Sequence, residues 1–222
     1  MENFNEFPQL KEYTDSDEVI LANGDYPMAD FATEILKYAK SIVCCDGAYR
    51  SCIEHGLRPS AIIGDGDSLA NNEKIKLKDL FHHNPDQETN DLTKAIHFAQ
   101  EQGKKTILIL GATGKREDHT LGNISLLYNY FTENLNIAML TDHGLFKIYQ
   151  GNQQFTSFPG QQISLFNIDC TALKSEGLVY PVYPFHHLWE GTLNESLDNS
   201  FKIHANGIYL MFFLAGKKSL HN

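Results

Sequence analysis

Two aspartates separated by one glycine, Asp65 and Asp67, are the strongest chemical signal in this sequence. They follow the short apolar run 61–63, which has the pattern of a β-strand, and Gly64 and Gly66 flank the first of them. If the strand geometry continues, residues i and i+2 point the same way, so both carboxylates would lie on one face. A divalent cation such as Mg²⁺ would offset their charge, because it binds oxygen ligands and leaves room for substrate phosphates. A solvated acidic turn is the alternative, since glycine, aspartate and serine are ordinary turn residues.

Two further aspartates occupy positions where an open α/β sheet binds ligands, at strand ends and helix starts. Asp46 ends the predicted strand 41–45, and Asp91 opens the predicted helix 91–102. We therefore expect one cation to be shared by four carboxylates, those of Asp46, Asp65, Asp67 and Asp91. For Asp91 taken alone, a helix N-cap is the favoured alternative. Lys94 lies on the same helix face as Asp91, and it is expected either beside phosphate and metal or in a surface ion pair.

A glycine turn at 111–119 has the features of a phosphate site. It follows the predicted strand 106–110 and precedes the predicted helix 119–131, so that backbone N–H groups at the helix start would be exposed to an anion. Only two residues separate its glycines, so it is not a Walker A loop. Lys115 and Arg116 could add charge-assisted bonds to phosphate oxygens. A solvated basic turn is the alternative, and it is favoured for Lys115.

Composition excludes several classes of protein. A net charge of -10 argues against a broad surface for a nucleic-acid backbone, and the 42% hydrophobic content is ordinary for a globular protein. The four cysteines show no C-x-x-C spacing, which indicates small buried side chains in a reducing compartment rather than a zinc site. The N-terminus lacks an apolar signal core, and the longest apolar run, 208–215, is too short to span a bilayer. We expect a cytoplasmic protein with no membrane or nucleic-acid partner.

No catalytic nucleophile is evident, because there is no G-x-S-x-G elbow and the cysteines lack a patterned histidine partner. This favours chemistry in which two bound substrates react directly.

Alternating strand and helix patterns predict an N-terminal Rossmann-like α/β domain with a mostly parallel sheet. The predicted strands are 19–22, 41–45, 61–63, 106–110 and 137–140, and the predicted helices are 30–38, 48–54, 71–81, 91–102 and 119–131. The apolar face of the last helix is predicted to comprise Leu121, Ile124, Leu127 and Tyr128. Five short runs then predict an all-β domain, a sandwich or barrel: 146–149, 162–166, 178–182, 201–204 and 208–213. The expected divisions are a leader at 1–18, an α/β domain at 19–145 and a β domain at 146–222.

Taken in order, the motifs resemble the thiamine pyrophosphokinase family, whose members transfer a pyrophosphoryl group from ATP to thiamine. Each motif alone is weak, but the ordered set is specific. The matching pieces are Cys45-Asp-Gly-Ala48, Pro59 to Gly64-Asp-Gly-Asp-Ser68, Asp86-Gln-Glu-Thr-Asn-Asp-Leu-Thr-Lys-Ala95, Gly111-Ala-Thr-Gly-Lys-Arg-Glu-Asp-His119, Ser175-Glu-Gly-Leu-Val-Tyr-Pro181, Gly191 and Ser196-Leu-Asp-Asn199.

The resemblance implies an α/β catalytic domain, a C-terminal β-sandwich, and a homodimer with thiamine bound at the subunit interface. The implied holders of Mg²⁺ and phosphates are Asp46, Asp65, Asp67 and Asp91, with Lys94 completing the catalytic set. The implied nucleotide contacts are Gln87, Gly111, Thr113, Gly114 and Arg116, together with Lys94. The residues implied to face thiamine are Asp118, Ser196 and Asn199.

Three positions depart from the family pattern. Gly66 stands where the family usually has a bulky residue, Asn90 where it usually has threonine, and Asp198 where it usually has serine. These departures leave the implied metal ligands intact and bear mainly on the geometry of the thiamine pocket.

The resulting hypothesis is Mg²⁺-dependent transfer of the β,γ-pyrophosphoryl group of ATP to the hydroxyethyl oxygen of thiamine, with release of AMP. Asp91 or Asp67 would accept the alcohol proton. An Asp-x-Asp pair also serves metal-dependent hydrolases and nucleotidyltransferases, so that class is one alternative. A non-catalytic thiamine or nucleotide sensor is the other, because fold alone does not determine function.

Overall fold

The computed structural model describes residues 7–216 of the chain. The chain divides into two compact units: one is Tyr13–Asp142, and the other is Met1–Glu12 together with His143–Asn222. No helix within 7–216 combines the length and apolar character that crossing a membrane requires.

The unit Tyr13–Asp142 is an α/β structure with a six-stranded sheet and five α-helices. Its strands are β1 Glu18–Leu21, β2 Ile42–Cys45, β3 Ala61–Gly64, β4 Phe81–His83, β5 Thr106–Leu110 and β6 Asn136–Leu140. Its helices are α1 Asp30–Tyr38, α2 Tyr49–Glu54, α3 Asn71–Lys76, α4 Asp91–Glu101 and α5 Glu117–Thr132. Every residue of β1, β2 and β3 is buried, as expected for parallel strands that are covered on both faces.

The order of these strands places a ligand site at one edge of the sheet. All neighbouring pairs are parallel, in the order β6-β5-β1-β2-β3-β4. The chain therefore adds β2, β3 and β4 on one side of β1 and returns to place β5 on its other side. Ligands of open α/β sheets bind where the strand order reverses, beyond the carboxyl ends of the strands. Here that point lies between the loops that follow β1 and β5.

The second unit is rich in β-strands, and its two sheets are antiparallel. Its strands are β7 Gly144–Gln150, β8 Gln153–Thr156, β9 Gln162–Asn167, β10 Leu173–Glu176, β11 Asn194–Glu195, β12 Ser200–Ala205 and β13 Ile208–Leu214. One sheet has the order β11-β9-β13-β7 and the other β10-β12-β8. Phe155 on β8 lies 4.9 Å from the ring of Tyr149 on β7 and 5.5 Å from that of Phe213 on β13, so aromatic side chains connect the two sheets.

The expected combination of an α/β part and a β-rich part is confirmed. Helix α1 has the predicted limits, and the four cysteines are buried and free. The helix predicted at 71–81 is shorter, because α3 ends at Lys76 and the edge strand β4 begins at Phe81.

The predicted strand 178–182 is wrong. Leu178 forms only an isolated bridge with Ser196, and the neighbouring Gly177 adopts a φ of 81°. Pro181, which has no N–H group, disfavours a continuous ladder there. Strands β4, β8, β10 and β11 were not predicted.

Part of the segment predicted as a leader is structured. Pro8–Tyr13 forms a 3₁₀ helix, and the side chains of Phe7, Leu10 and Tyr13 are buried. Residues 1–6 of the predicted leader lie outside the described residues.

Candidate active site

A cleft of about 480 Å³ lies in the α/β unit at the carboxyl edge of its sheet. Three segments supply most of its lining: 22–24 after β1, residues between 86 and 94 at the start of α4, and residues between 112 and 123 at the start of α5. Cys45 at the end of β2 and Asp65 after β3 complete it. Six residues predicted for the site line this cleft: Asp65, Gln87, Asp91, Lys94, Gly114 and Arg116. The structure thus brings the acidic and basic sequence motifs together around one space.

The floor of the cleft is built from two glycine loops in close contact. The backbone N of Gly24 donates to the carbonyl O of Gly111 at 2.6 Å, and that of Asp25 donates to the carbonyl O of Thr113 at 2.8 Å. A Cβ atom at Gly24 would lie 2.2 Å from the O of Thr113, and one at Gly114 would lie 2.1 Å from Oδ2 of Asp25. Only glycine permits this approach. Gly111 and Thr113 therefore hold the turn through their backbones, and neither is among the residues that line the cleft.

Two basic side chains leave this turn at the mouth of the cleft. Lys115 has a φ of 56°, and its Nζ donates to the carbonyl O and Oδ1 of Asn23 at 3.0 and 3.1 Å. Arg116 precedes α5, and its Nε donates to Oδ1 of Asp118 at 3.0 Å while its Nη2 donates to Oδ2. Hydrogen bonds from the Arg116 guanidinium hold the pKa of Asp118 below its usual value. Asp118, predicted to face thiamine, is thus bound to Arg116 in this structure.

Asp91 is not the N-cap of α4, which corrects the alternative that the sequence favoured for it. Asn90 has that role, since its Oδ1 accepts a hydrogen bond from the backbone N of Thr93 at 2.9 Å. The Asp91 carboxylate is therefore free to face the cleft, where Nζ of Lys94 donates to its Oδ1 at 3.1 Å. The Lys94 side chain is only 4% exposed, so the pair is not the surface ion pair considered as its alternative.

The carboxylates around the cleft differ in their electrostatic environment. Burial raises the pKa of Asp91, and the charges of Asp46 and Asp65 raise it further while Lys94 lowers it. A bond from the backbone N of Asp67 at 3.0 Å is the main cause of the lowered pKa of Asp65, with a smaller contribution from Gln87. Asp91 is half-buried and is repelled by its acidic neighbours, so a bound cation would stabilise its charged form.

Asp46 lies beneath this acidic turn and is 3% exposed. Its Oδ2 accepts a hydrogen bond from the backbone N of Gly66 at 2.9 Å, and a Cβ atom at Gly64 would lie 2.8 Å from its Cγ. Strand β3 ends at Gly64, and Gly66 adopts a φ of 81°. Asp67 is therefore exposed and does not line the cleft. Because β3 ends at Gly64, the strand geometry does not continue through Asp65 and Asp67, and a shared face for the two carboxylates does not follow from their spacing.

The shared cation site predicted for four aspartates does not appear as a preformed cluster. Within 7–216, no group of three or more histidine, cysteine, aspartate or glutamate side chains is arranged to hold a metal ion. The aspartates that line the cleft are Asp65, Asp86 and Asp91, and the Asp86 carboxylate already accepts hydrogen bonds from Glu88 and Thr89. Mg²⁺ commonly takes one or two protein carboxylates and completes its shell with water and substrate phosphates. This donor set fits such a substrate-bound ion.

The remaining predicted residues lie in the β-rich unit. Ser196 is 1% exposed, with its Oγ 2.7 Å from Oγ of Ser157 and 2.9 Å from the carbonyl O of Asp198. The hydroxyl is thus engaged in internal hydrogen bonds. Asn199 is exposed. The thiamine contacts expected of these residues stay predictions.

Three asparagines that the sequence reasoning did not assign to the site also line the cleft: Asn23, Asn90 and Asn123. Their partners are distant in the chain; Asn23 bonds to Lys115, and Nδ2 of Asn123 donates to the carbonyl O of Ala112 at 2.8 Å. Of these three asparagines, only Asn90 had drawn attention in the sequence, through its departure from the family pattern.

Comparisons with known proteins find two matching family models and several relatives. Residues 32–139 match the family model described as "Thiamin pyrophosphokinase, catalytic domain", and residues 144–212 match "Thiamin pyrophosphokinase, substrate-binding domain". The thiamine pyrophosphokinase of Bacillus subtilis (strain 168) is 27% identical over 170 residues, which cover 71% of this chain and 76% of that relative. Thiamine pyrophosphokinase 1 of Oryza sativa subsp. japonica is 36% identical over 95 residues, covering 38% of this chain and 35% of that relative.

Solved structures show the same fold. The crystal structure of the Bacillus subtilis thiamine pyrophosphokinase aligns with a TM-score of 0.74 at 21% identity and covers 91% of this chain and 100% of that one. The thiamin pyrophosphokinase from Candida albicans aligns with a TM-score of 0.75 at 19% identity, covering 91% of this chain and 90% of that one.

Proposed function

The chain belongs to the thiamin pyrophosphokinase family, and on that premise we propose that it transfers the β,γ-pyrophosphoryl group of ATP to the hydroxyethyl oxygen of thiamine, releasing AMP. The observation that carries the proposal is a single cleft with carboxylates on one wall and a basic glycine turn on the other. Such a cleft suits a polyphosphate that is bound together with a divalent cation.

The triphosphate would lie against the turn that precedes α5. Backbone N–H groups at a helix start favour anions, and Arg116 offers a planar, bidentate group for phosphate oxygens. Lys115 would add a second cation from the same turn, since Asn23 holds its ammonium group at the cleft. Gln87 and the buried Lys94 would contact the phosphates from the opposite wall.

Mg²⁺ fits the acidic wall of this cleft, where Asp65 and Asp91 would hold it, with Asp46 as a buried carboxylate behind them. When bound, the ion would neutralise charge on the transferring phosphates. Asp67 is exposed and is not among the residues that line the cleft, and its part in holding the ion stays a prediction.

Asp91 is the proposed acceptor of the alcohol proton. In the transfer, the thiamine hydroxyl oxygen forms a bond to the β-phosphorus, and the bond from that phosphorus to the oxygen bridging it to the α-phosphate breaks. AMP leaves with the bridging oxygen, and the hydroxyl proton passes to a carboxylate. Asp91 suits this role because its side chain lines the cleft and is 34% exposed, which leaves the carboxylate accessible to a bound alcohol.

The finer architecture and assembly are also proposals. The strand reversal beside β1 supports a Rossmann-like arrangement, and the aromatic contacts between its two sheets support a β-sandwich for the second unit. Thiamine contacts by Asp118, Ser196 and Asn199, a homodimer and a cytoplasmic location stay predictions.

A product assay tests the function directly. Purified protein is incubated with ATP, Mg²⁺ and thiamine, and the products are separated by chromatography. Equal amounts of thiamine diphosphate and AMP, absent when the metal is chelated, are expected. ADP with thiamine monophosphate would overturn pyrophosphoryl transfer, and nucleotide hydrolysis without thiamine would favour the hydrolase or nucleotidyltransferase class. Binding of thiamine without turnover would favour the sensor.

A further inference from the structure

Two asparagines connect the opposite walls of the candidate cleft through hydrogen bonds. Nδ2 of Asn123, on α5, donates to the carbonyl O of Ala112 at 2.8 Å. Nδ2 of Asn90 donates in turn to Oδ1 of Asn123 at 3.2 Å. We call this chain of bonds, Asn90–Asn123–Ala112, the asparagine bridge. All three of its residues line the cleft.

The bridge joins the two segments that would contact the polyphosphate. Ala112 belongs to the glycine turn after β5 and is 3% exposed, so its carbonyl is fixed in a buried part of the structure. Asn90 is the N-cap of α4, and the first turn of that helix carries Asp91 and Lys94. The bridge therefore ties the acidic wall to the basic turn by side chains that are far apart in sequence.

Amide groups are suited to this arrangement because each carries both donors and an acceptor. Asn123 uses a donor toward Ala112 and its acceptor toward Asn90, so neither aspartate nor alanine could make both bonds. Asn90 uses its oxygen as the helix cap and its nitrogen for the bridge. A threonine at position 90, usual in the family pattern, would cap the helix but has no amide nitrogen to offer Asn123.

We propose that Asn90 and Asn123 are positioning residues for nucleotide binding, which hold the start of α4 at a fixed distance from the glycine turn. The inference rests on the proposed function in that it takes ATP to bind between these two walls. When the two walls of the cleft are already held in place, less conformational entropy is lost on nucleotide binding. The bridge residues act on the walls rather than on the reacting atoms, so their loss weakens nucleotide binding more than it slows transfer.

Three variants and one control test the bridge in the full-length protein. Asn123→Ala removes both bonds, and Asn90→Ser removes the amide donor while keeping an oxygen that can cap α4. The third variant combines the two changes. Asn129→Ala is the control, because Asn129 is an exposed asparagine on the same helix and does not line the cleft. The measurements are KM for MgATP, kcat for thiamine diphosphate formation, melting temperature, and calorimetric Kd for a non-hydrolysable ATP analogue.

We expect each single variant to raise KM and Kd about fivefold to tenfold, the range that loss of one or two hydrogen bonds can produce, with kcat changed by less than about twofold. The double variant should be no weaker than Asn123→Ala, because the bridge is already broken in that protein. The control should leave Kd unchanged.

Three outcomes would overturn the bridge: unchanged KM and Kd in Asn123→Ala, additive losses in the double variant, or a lower melting temperature with normal nucleotide binding. Failure of the proposed function is distinguishable from these, because it would appear as absence of thiamine diphosphate in the wild-type reaction. The analogue Kd would still test the bridge in that case.

Discussion

Replacing Gly64 by alanine should displace the buried Asp46 carboxylate and so damage both stability and catalysis. The new Cβ atom would lie 2.8 Å from Cγ, 2.9 Å from Cβ and 3.0 Å from Oδ2 of Asp46. Two of these separations are shorter than side-chain atoms tolerate, and Asp46 is only 3% exposed, so its carboxylate has little space to move into. Any such shift weakens the 2.9 Å hydrogen bond that its Oδ2 accepts from the backbone N of Gly66.

The size of the effect follows from these two contacts. Overpacking a buried site costs about 1–3 kcal/mol, and complete loss of a hydrogen bond to a charged group costs about 1.5–3 kcal/mol. We expect Gly64→Ala to lower the free energy of unfolding by about 3 kcal/mol, since neither contact is removed completely. Because the turn that carries Asp65 also depends on this bond, kcat should fall together with stability.

A glycine in the same unit supplies the matched control. Gly122 lies in α5, and a Cβ atom there would meet nothing within 4 Å. Gly122→Ala should raise the free energy of unfolding by up to about 1 kcal/mol, because alanine favours helix more than glycine does. Urea denaturation followed by circular dichroism measures both variants. If Gly64→Ala were as stable as the wild type and retained its kcat, the crowding of Asp46 described above would be incorrect.

Three further predictions concern charged groups. Asp91→Asn should reduce kcat at least about 100-fold; a kcat within about threefold of the wild type in single-turnover assays would contradict its role as proton acceptor. Arg116→Ala should raise KM for ATP on the order of tenfold without lowering the melting temperature, since its ion pair with Asp118 is exposed; loss of stability with normal KM would refute a phosphate role. Glu18 is 4% exposed, its Oε1 has no partner within 7–216, and burial raises its pKa. As the pH rises through that pKa, the carboxyl group becomes charged in a buried place and the folded state loses stability. Glu18→Gln should therefore stabilise the protein by about 1 kcal/mol at pH 8 and give no gain near pH 4. An equal gain at both pH values would exclude this explanation.

The periodic sequence patterns predicted correctly those elements whose apolar residues face the core. In α4 the apolar residues expected on one side are all buried, namely Leu92, Ala95, Ile96 and Ala99. In α5 the expected apolar face is only partly buried, because Leu121 is 64% exposed and Tyr128 is 38% exposed, while Tyr130 is fully buried. Tyr130 reaches the core and its hydroxyl lies 2.8 Å from Oγ1 of Thr93 on α4. A tertiary contact of that kind selects the buried face, and the sequence of α5 alone does not contain it.

Edge strands were missed for a related reason. In β4 only Phe81 is partly buried, and its neighbours His82 and His83 are exposed. In β10 only Leu173 is buried. Short strands of this kind are held by backbone pairing with a neighbour, as Gly64 pairs with His83. Their side chains carry little periodic signal, because few of them face a core.

The candidate site shows how far residue spacing can serve as evidence. Proximity in the chain was misleading for Asp65 and Asp67, because the positive φ of Gly66 turns the chain and leaves Asp67 exposed outside the cleft. Position at a strand end was the better guide, since it predicted that residues beyond different parallel strands would meet at one edge. Asp91 and Arg116 line one cleft for that reason, although Asp91 opens α4, Arg116 precedes α5, and the two were assigned from separate motifs. Which polar side chains pair across such an edge depends on the complete fold. Position at a strand end therefore identifies candidate residues for the cleft, whereas local spacing in the sequence does not determine which of these residues face the cleft.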